Sequence, residues 1–131
     1  MIVVDTSIIF SYFRESVTKR LIISMSSLLI APEYSLSELR KHEVVICEKA
    51  KISSDEFEKR FSDLKRIVSF VPLSEYREFI KPALRLSPDP DDVDFFALAL
   101  ATGSPLWSND SVWKRQDRID VFTTSDLLSV L

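Results

Sequence analysis

Short apolar segments alternate with longer amphipathic stretches along the whole chain. The short segments are rich in β-branched and aromatic residues and are apolar at nearly every position, which is typical of strands buried on both faces of a parallel sheet. Parallel strands require long, usually helical, connections. The alternation therefore predicts a three-layer α/β/α fold with a central parallel sheet of about five strands. The predicted strands are Ile2–Val4, Leu28–Ala31, Ile67–Val71, Pro105–Trp107 and Asp120–Thr123.

Helical spacing fills the segments between these strands. In the helix that begins at Pro32 or Glu33 we expect Leu36, Leu39 and Val44 to Ile46 to face inward. In the next helix we expect Phe57, Phe61 and Leu64 to do so. The predicted helices are Thr6–Tyr12, Val17–Met25, one long helix from Pro32 or Glu33 towards Lys49, a helix capped by Ser53-Ser54 with Ser54 and Phe57-Glu58 as a displaced capping arrangement, Ser74–Leu84, Asp91–Thr102 ending at Gly103, and Ser125–Leu131.

Gly103 is the only glycine in the chain, and this excludes several classes of site. A dinucleotide-binding turn, a phosphate-binding P-loop and a glycine-rich cradle all need two or more glycines. Nucleotide-cofactor chemistry is therefore not favoured.

The composition indicates one globular unit over residues 1–131, since no flexible linker, fixed-period repeat or long run of like charge interrupts it. No uncharged stretch is long enough to span a bilayer, and the N-terminus lacks the basic region of a secretory signal. Cys47 is the single cysteine, so no internal disulfide can form. We expect a cytoplasmic protein in a reducing compartment.

Acidic residues stand where predicted strands end or helices begin. Asp5 directly follows the first strand, Glu38 lies early in the helix after the second, and Asp110 follows the fourth. Asp91, Asp92 and Asp94 cluster at the start of another helix, and the residues alone do not say which of the three is used. In an open parallel sheet the crevice lies beyond the carboxyl ends of the strands, so we expect these acids to converge there.

Converging carboxylates need a cation. Four carboxylates about 6 Å apart would repel by roughly 3 kcal/mol per pair at an effective dielectric near 20. All-oxygen ligands suit Mg²⁺ or Mn²⁺, whereas a zinc site would call for Cys or His. Such an ion can activate water for phosphodiester hydrolysis.

The net charge of −3 argues against a nucleic-acid partner only if every acid is counted. Setting four acids aside as metal ligands moves the balance from −3 to +1. Basic residues that could contact backbone phosphates are Arg40, Lys41, Lys49, Lys51, Lys59, Arg60, Lys65 and Arg66, with Lys114, Arg115 and Arg118 after Asp110.

Four motifs in order resemble the PIN domain over nearly the whole chain. They are Asp5-Thr6-Ser7, Pro32-Glu33-Tyr34 leading to Glu38-Leu39, the segment from Asp89-Pro90-Asp91-Asp92 to Ala99, and Trp107-Ser108-Asn109-Asp110. The chain resembles in particular small stand-alone prokaryotic, especially archaeal, PIN proteins that are related to the toxin ribonucleases of toxin–antitoxin pairs.

This resemblance implies a metal-dependent endoribonuclease that acts on RNA, expected to be single-stranded, with Mg²⁺ or Mn²⁺ as cofactor. An antitoxin partner and a homodimer are further expectations, and a membrane partner is not. Carried over by position, the metal-binding and catalytic acids are Asp5, Glu38, Asp92 and Asp110, with Thr6 and Ser108 as hydroxyl neighbours. Asp92 lies eighteen residues before Asp110, in the family's register. Asp94 is the alternative third acid.

Structural interpretations stand beside these functional ones. Asp5 could only cap a helix, and the acids near residue 92 could only complement a helix dipole. His42 lies four residues after Glu38 and so on the same helix face. It could be a metal ligand, a general base or a surface residue. Trp107 suits the core, whereas Trp113 could stack on a base. The alternative function is a catalytically inactive PIN-fold module for binding or regulation, which would bind no divalent metal.

Overall fold

The computed structural model describes residues 1–130. Leu131, the last residue of the predicted helix Ser125–Leu131, lies outside the described residues. Five strands form one parallel sheet in the order β3-β2-β1-β4-β5. Helices flank the sheet, so the predicted three-layer α/β/α architecture is confirmed. The strands are β1 (Ile2–Val4), β2 (Leu29–Pro32), β3 (Ser69–Val71), β4 (Leu106–Trp107) and β5 (Val121–Phe122). The α-helices are α1 (Thr6–Phe10), α2 (Val17–Ser24), α3 (Tyr34–Lys41), α4 (Glu43–Ala50), α5 (Ser54–Ile67), α6 (Ile80–Leu84), α7 (Val93–Thr102) and α8 (Thr124–Val130).

The strand order reverses at β1, and this reversal positions the site. The chain builds outward from β1 to β2 and β3, and then returns to add β4 and β5 on the other side of β1. β1 pairs with β4 through Val3 with Leu106 and Val4 with Trp107. The switch point of the sheet therefore lies between the carboxyl ends of β1 and β4, where ligands of open α/β sheets bind.

Two hydrophobic cores lie on opposite faces of this sheet. Val4 belongs to one core, which includes Phe57 and Leu64 of α5, and Val3 belongs to the other, which includes Phe96 of α7 and Trp113. Successive residues of a strand point to opposite faces, so β1 supplies side chains to both cores. The near-continuous apolar character of the strands is explained by this double coverage.

The single helix predicted from residue 32 or 33 towards Lys49 is wrong. It is two helices, α3 and α4, which meet at His42. The His42 backbone leaves helical geometry at φ −102° and ψ 16°, while its amide still bonds to the carbonyls of Glu38 and Leu39. The change of direction buries Ile46 but leaves Val44 and Val45 exposed, contrary to the prediction that all three face inward.

Other boundaries also differ from prediction. The cap of α5 is a capping box between Ser53 and Glu56, one residue earlier than expected. The helix predicted over Ser74–Leu84 is two 3₁₀ turns, Leu73–Glu75 and Arg77–Phe79, followed by α6. Gly103 ends α7 in the left-handed conformation at φ 64°, as predicted. Within residues 1–130, no helix combines the length and the apolar character that crossing a bilayer requires.

Candidate metal centre

Hydrogen bonds join the ends of β1 and β4 at the switch point. The backbone N–H of Asp5 donates to the carbonyl of Trp107 at 2.9 Å. The Ser108 hydroxyl donates to Asp5 Oδ2 at 2.6 Å and accepts from the backbone N–H of Asp110 at 3.0 Å. One buried serine therefore links the two acids that follow these neighbouring strands.

Asp5 is a buried carboxylate held by hydroxyls on both sides. Its Oδ2 accepts from Ser7 Oγ at 2.9 Å as well as from Ser108. Burial raises the pKa of Asp5, the hydrogen bonds from Ser108 and Ser7 lower it, and the negative charge of Asp110 raises it further. Asp5 also caps α1, since Oδ1 accepts from the Ser7 backbone N–H at 3.4 Å. Capping and a ligand role are therefore compatible in this residue.

Asp92 ends the 3₁₀ turn Pro90–Asp92, immediately before α7. Its Oδ2 accepts from the indole Nε1–H of Trp113 at 3.2 Å. Burial raises the pKa of Asp92 to about 6, the Trp113 hydrogen bond opposes this, and the charges of Asp5, Asp89 and Asp110 add to it. The negative charges of Asp5 and Asp110 thus lie close enough to Asp92 to disfavour its ionisation.

The structure places Glu38 and Asp94 beside tyrosines. Burial, a hydrogen bond to Glu38 and the charges of Glu38, Asp91 and Asp94 raise the pKa of Tyr34 to about 12. Asp94 Oδ2 accepts from the Tyr76 hydroxyl at 2.5 Å. Asp94 is therefore hydrogen-bonded to Tyr76. Asp92, the other candidate for the third acid, is the one whose pKa the charges of Asp5 and Asp110 raise.

Of the two hydroxyl residues predicted to support the acids, only one contacts an acid. Ser108 contacts Asp5, whereas the hydroxyl of Thr6 donates to Ser35 at 3.4 Å. Of the two interpretations of Trp113, core residue or base-stacking residue, the structure supports the first, because its side chain is 1% exposed and packs against Phe95 and Phe96. Trp107 is fully buried, as predicted.

Several of the basic residues that were predicted to contact RNA phosphates form ion pairs with acidic side chains. Arg40 pairs with Glu58 and Glu43 and lies over the rings of Phe57 and Phe61. This guanidinium therefore holds α3 and α5 together. Further pairs are Lys41–Glu38, Arg60–Glu56, Arg66–Asp63 and Lys114–Asp126.

Sequence reasoning missed three parts of this site. Trp113 holds Asp92, Ser7 holds Asp5 through its side chain, and Asp89 adds negative charge near Asp92. Ser7 could have been found from the capping pattern, since it lies two residues after Asp5. The Trp113 contact joins residues 21 positions apart, and no local spacing signals it.

The donor set suits a hard cation that keeps part of its water shell. Within residues 1–130, no three His, Cys, Asp or Glu side chains lie close enough together to hold a metal ion directly, so the expected tight convergence of four acids is not seen. The candidate ligands Asp5, Asp92 and Asp110 nevertheless offer only carboxylate oxygens, and the negative charges that raise the pKa of Asp92 mark where a cation would be stabilised. Mg²⁺ commonly uses one or two carboxylates and retains several waters. The residues therefore fit such an ion.

A family model described as a PIN domain matches residues 3–115 of the 131-residue chain. The chain belongs to the PIN domain family. PIN domains are generally nucleases, and PIN nucleases generally use divalent metal ions and act on RNA. A search of curated proteins finds none that matches. The match runs from β1 to the 3₁₀ segment Ser111–Arg115, so all four predicted acids of this PIN domain lie within it.

Proposed function

We propose that this PIN domain is a metal-dependent endoribonuclease that hydrolyses phosphodiester bonds of RNA. The observation that carries the proposal is the pair formed by Asp5 and Asp92 at the switch point, two partly desolvated carboxylates whose charges oppose each other. Groups with strongly perturbed pKa values in a crevice are typical of functional sites. Mg²⁺ or Mn²⁺ is the proposed cofactor, with Asp5, Asp92 and Asp110 as the residues that would hold it and Glu38 at the margin.

The chain's own residues orient these carboxylates. Ser108 and Ser7 fix Oδ2 of Asp5, and Trp113 fixes Oδ2 of Asp92. Among the described residues, no protein group donates to Oδ1 of Asp92, so this oxygen is available to a ligand or to water. Fixed donors around a ligand acid raise its affinity and set its orientation.

When bound, a divalent ion supplies Lewis-acid activation of water and offsets the negative charge of the phosphodiester. In the proposed hydrolysis, the water oxygen bonds to phosphorus and the bond from phosphorus to one ester oxygen breaks. The water gives up one proton to solvent, and the departing oxygen takes one proton from solvent. Asp5 would help to hold the ion beside the phosphodiester, and the Ser108 hydroxyl keeps the Asp5 carboxylate in place.

Metal-dependent cleavage of RNA by an Asp5→Asn variant tests the proposal. Asn keeps the size and the acceptor oxygen but removes the charge, so cleavage in Mn²⁺ should fall by about 100-fold or more, beyond the roughly 10–100-fold of outer-shell substitutions. The matched control is Asp120→Asn, because Asp120 is an exposed acid that precedes β5 at the opposite edge of the sheet.

Cleavage at the wild-type rate by folded Asp5→Asn protein would contradict the proposal. Absence of cleavage by the wild-type protein, together with no divalent binding in calorimetry, would instead assign the chain to the inactive binding modules. Retained binding without cleavage of a panel of RNAs would move the proposal to another phosphodiester substrate such as single-stranded DNA.

The proposal extends to a toxin role in a toxin–antitoxin pair and to a homodimer. Both rest on the resemblance of the sequence motifs to small stand-alone PIN proteins. Induced expression should then arrest growth of a bacterial host, and Asp5→Asn should relieve the arrest. Sedimentation of the purified protein measures the oligomeric state.

A further inference from the structure

A cavity of about 300 Å³ lies between the end of α1 and α4. Phe10 and His42 form an aromatic corner in it, with ring centroids 5.7 Å apart and planes inclined by 55°. Phe13 and Ile46 extend the apolar lining. The volume is at the lower end of the roughly 300–1,000 Å³ of small-molecule sites, so it suits one flat ring system.

The charged residues that line this cavity are all basic. Arg14 and Lys49 are exposed at its rim, and within residues 1–130 neither forms an ion pair. No acidic side chain lines the described cavity. An apolar aromatic interior with a cationic rim is complementary to a flat, uncharged ring that carries an anionic group.

The two aromatic walls are connected to the candidate metal centre by short helices. Phe10 ends the helix that Asp5 caps, which places it about 7.5 Å further along that helix. His42 follows Glu38 by four residues, and its Nδ1–H donates to the Glu38 carbonyl at 2.8 Å. This bond fixes the imidazole plane beside Phe10.

From this geometry we infer that the cavity binds a nucleobase of the RNA strand, on the nucleotide next to the phosphate held at the acids. The base contacts Phe10 and His42, and the phosphate on the other side of this nucleotide lies by Arg14 and Lys49. The inference rests on the proposed ribonuclease function, and it adds a contact that sets the position of the strand.

His42 is the only histidine, so its imidazole Cε1–H gives one signal in the NMR spectrum of the full chain. The signal is followed in EDTA, without metal and without cleavage, while adenosine 5′-monophosphate or ribose 5-phosphate is added at millimolar concentrations. A stacked base should produce a saturable ring-current shift of the His42 signal. Ribose 5-phosphate, which has the anionic group but no base, should leave the signal in place.

Variants of the aromatic wall complete the test. Phe10→Leu keeps an apolar side chain without a ring and should weaken nucleotide binding by about fivefold or more. Phe10→Tyr keeps the ring and should retain the affinity. Phe79→Leu is the matched control, because Phe79 is another half-buried phenylalanine that belongs to the opposite core and does not line the cavity.

Two kinds of result, one with added ligand and one without, would overturn the inference. One is an unshifted His42 signal at saturating nucleotide, or an equal shift with ribose 5-phosphate. The other is a His42 shift that follows protein concentration without nucleotide, which would assign the cavity to a second copy of the chain. Because no metal is present, these outcomes are independent of the cleavage assay: a base can bind here in a protein that does not cleave, and cleavage can occur with the cavity empty.

Discussion

The ionised carboxylate of Asp92 lowers the free energy of unfolding of the metal-free protein. Its pKa rises from 3.8 in the unfolded chain to about 6 in the fold, chiefly through burial. Between these two values the unfolded state binds fewer protons than the folded state, so the free energy of unfolding falls as pH rises. Above pH 6 the ionised carboxylate destabilises the metal-free protein. After allowance for partial solvent exposure, the effect is about 1 kcal/mol.

Asp92→Asn should therefore stabilise the metal-free protein by about 1 kcal/mol at neutral pH, because the amide is uncharged and its oxygen can still accept from Trp113. The measurement is urea unfolding in EDTA over the pH range 4 to 8. The variant should lose the part of the decline in stability that Asp92 causes between pH 3.8 and about 6, whereas the part due to Asp5 should remain. Asp120→Asn should keep both parts. Equal pH profiles for Asp92→Asn and wild type would contradict the assigned burial effect.

Trp113 carries a second prediction at this scale. Trp113→Phe removes the indole N–H that holds Asp92 and should weaken Mn²⁺ binding about 10–100-fold, the usual effect of losing a partner of a metal ligand. Calorimetric titration measures this affinity. Trp107→Phe is a matched control, since Trp107 is equally buried and its Nε1–H donates to Thr124 Oγ1 at 3.1 Å and to no acid.

Loss of volume is similar in the two tryptophan variants, so both should lower the free energy of unfolding. Only Trp113→Phe should also lower metal affinity. A similar loss of affinity in both would show that Trp113 acts through general packing and does not position Asp92.

At the scale of elements, α5 supplies Phe57, Phe61 and Leu64 to one core, and its start is fixed by the Ser53–Glu56 capping box. Ser53→Ala removes the acceptor for the Glu56 N–H at 3.1 Å and should lower the free energy of unfolding by about 1 kcal/mol. Ser54→Ala is the control, because its hydroxyl makes only an exposed contact with Glu43. Urea midpoints at an unchanged m-value measure the difference, and equal midpoints would contradict the capping role.

The elements that could be predicted from the sequence are those with a strong local signal. All five strands were predicted, and the signal is strongest in the central strands β1, β2 and β4, which are apolar because both faces of the sheet are covered there. The end of α7 was predicted because Gly103 takes a positive φ there. The break at His42 has no glycine or proline to signal it, so it could not be predicted from local sequence.

The candidate site was predictable to a similar extent. The acids at the ends of β1 and β4 follow from the rule for parallel sheets, and the structure joins them through Ser108. The hold of Trp113 on Asp92 depends on how the segment after β4 folds back over α7, and such a contact is not encoded in local spacing.

On the scale of the whole molecule, the site is attached to both hydrophobic cores. Val3 and Val4 of β1 enter opposite cores, and Asp5 follows them directly. Trp113, which holds Asp92, lies in the second core. A ligand that binds these acids therefore stabilises elements on both sides of the sheet, and we expect its effect to appear in the unfolding of the protein as one transition.

Mn²⁺ should raise the unfolding temperature of the wild-type protein. A ligand that binds only the folded state stabilises it by about 2.7 kcal/mol at a hundredfold excess over Kd, which is roughly 10 °C for a chain of this size. Binding keeps Asp92 ionised, so saturating Mn²⁺ should also remove the metal-free decline in stability as pH rises to about 6. Calorimetric scans with Mn²⁺ or EDTA measure both effects. Asp120→Asn should respond as wild type does and Asp5→Asn weakly, because the charge of Asp5 attracts the cation. Equal shifts in the two variants would place the ion elsewhere on the molecule.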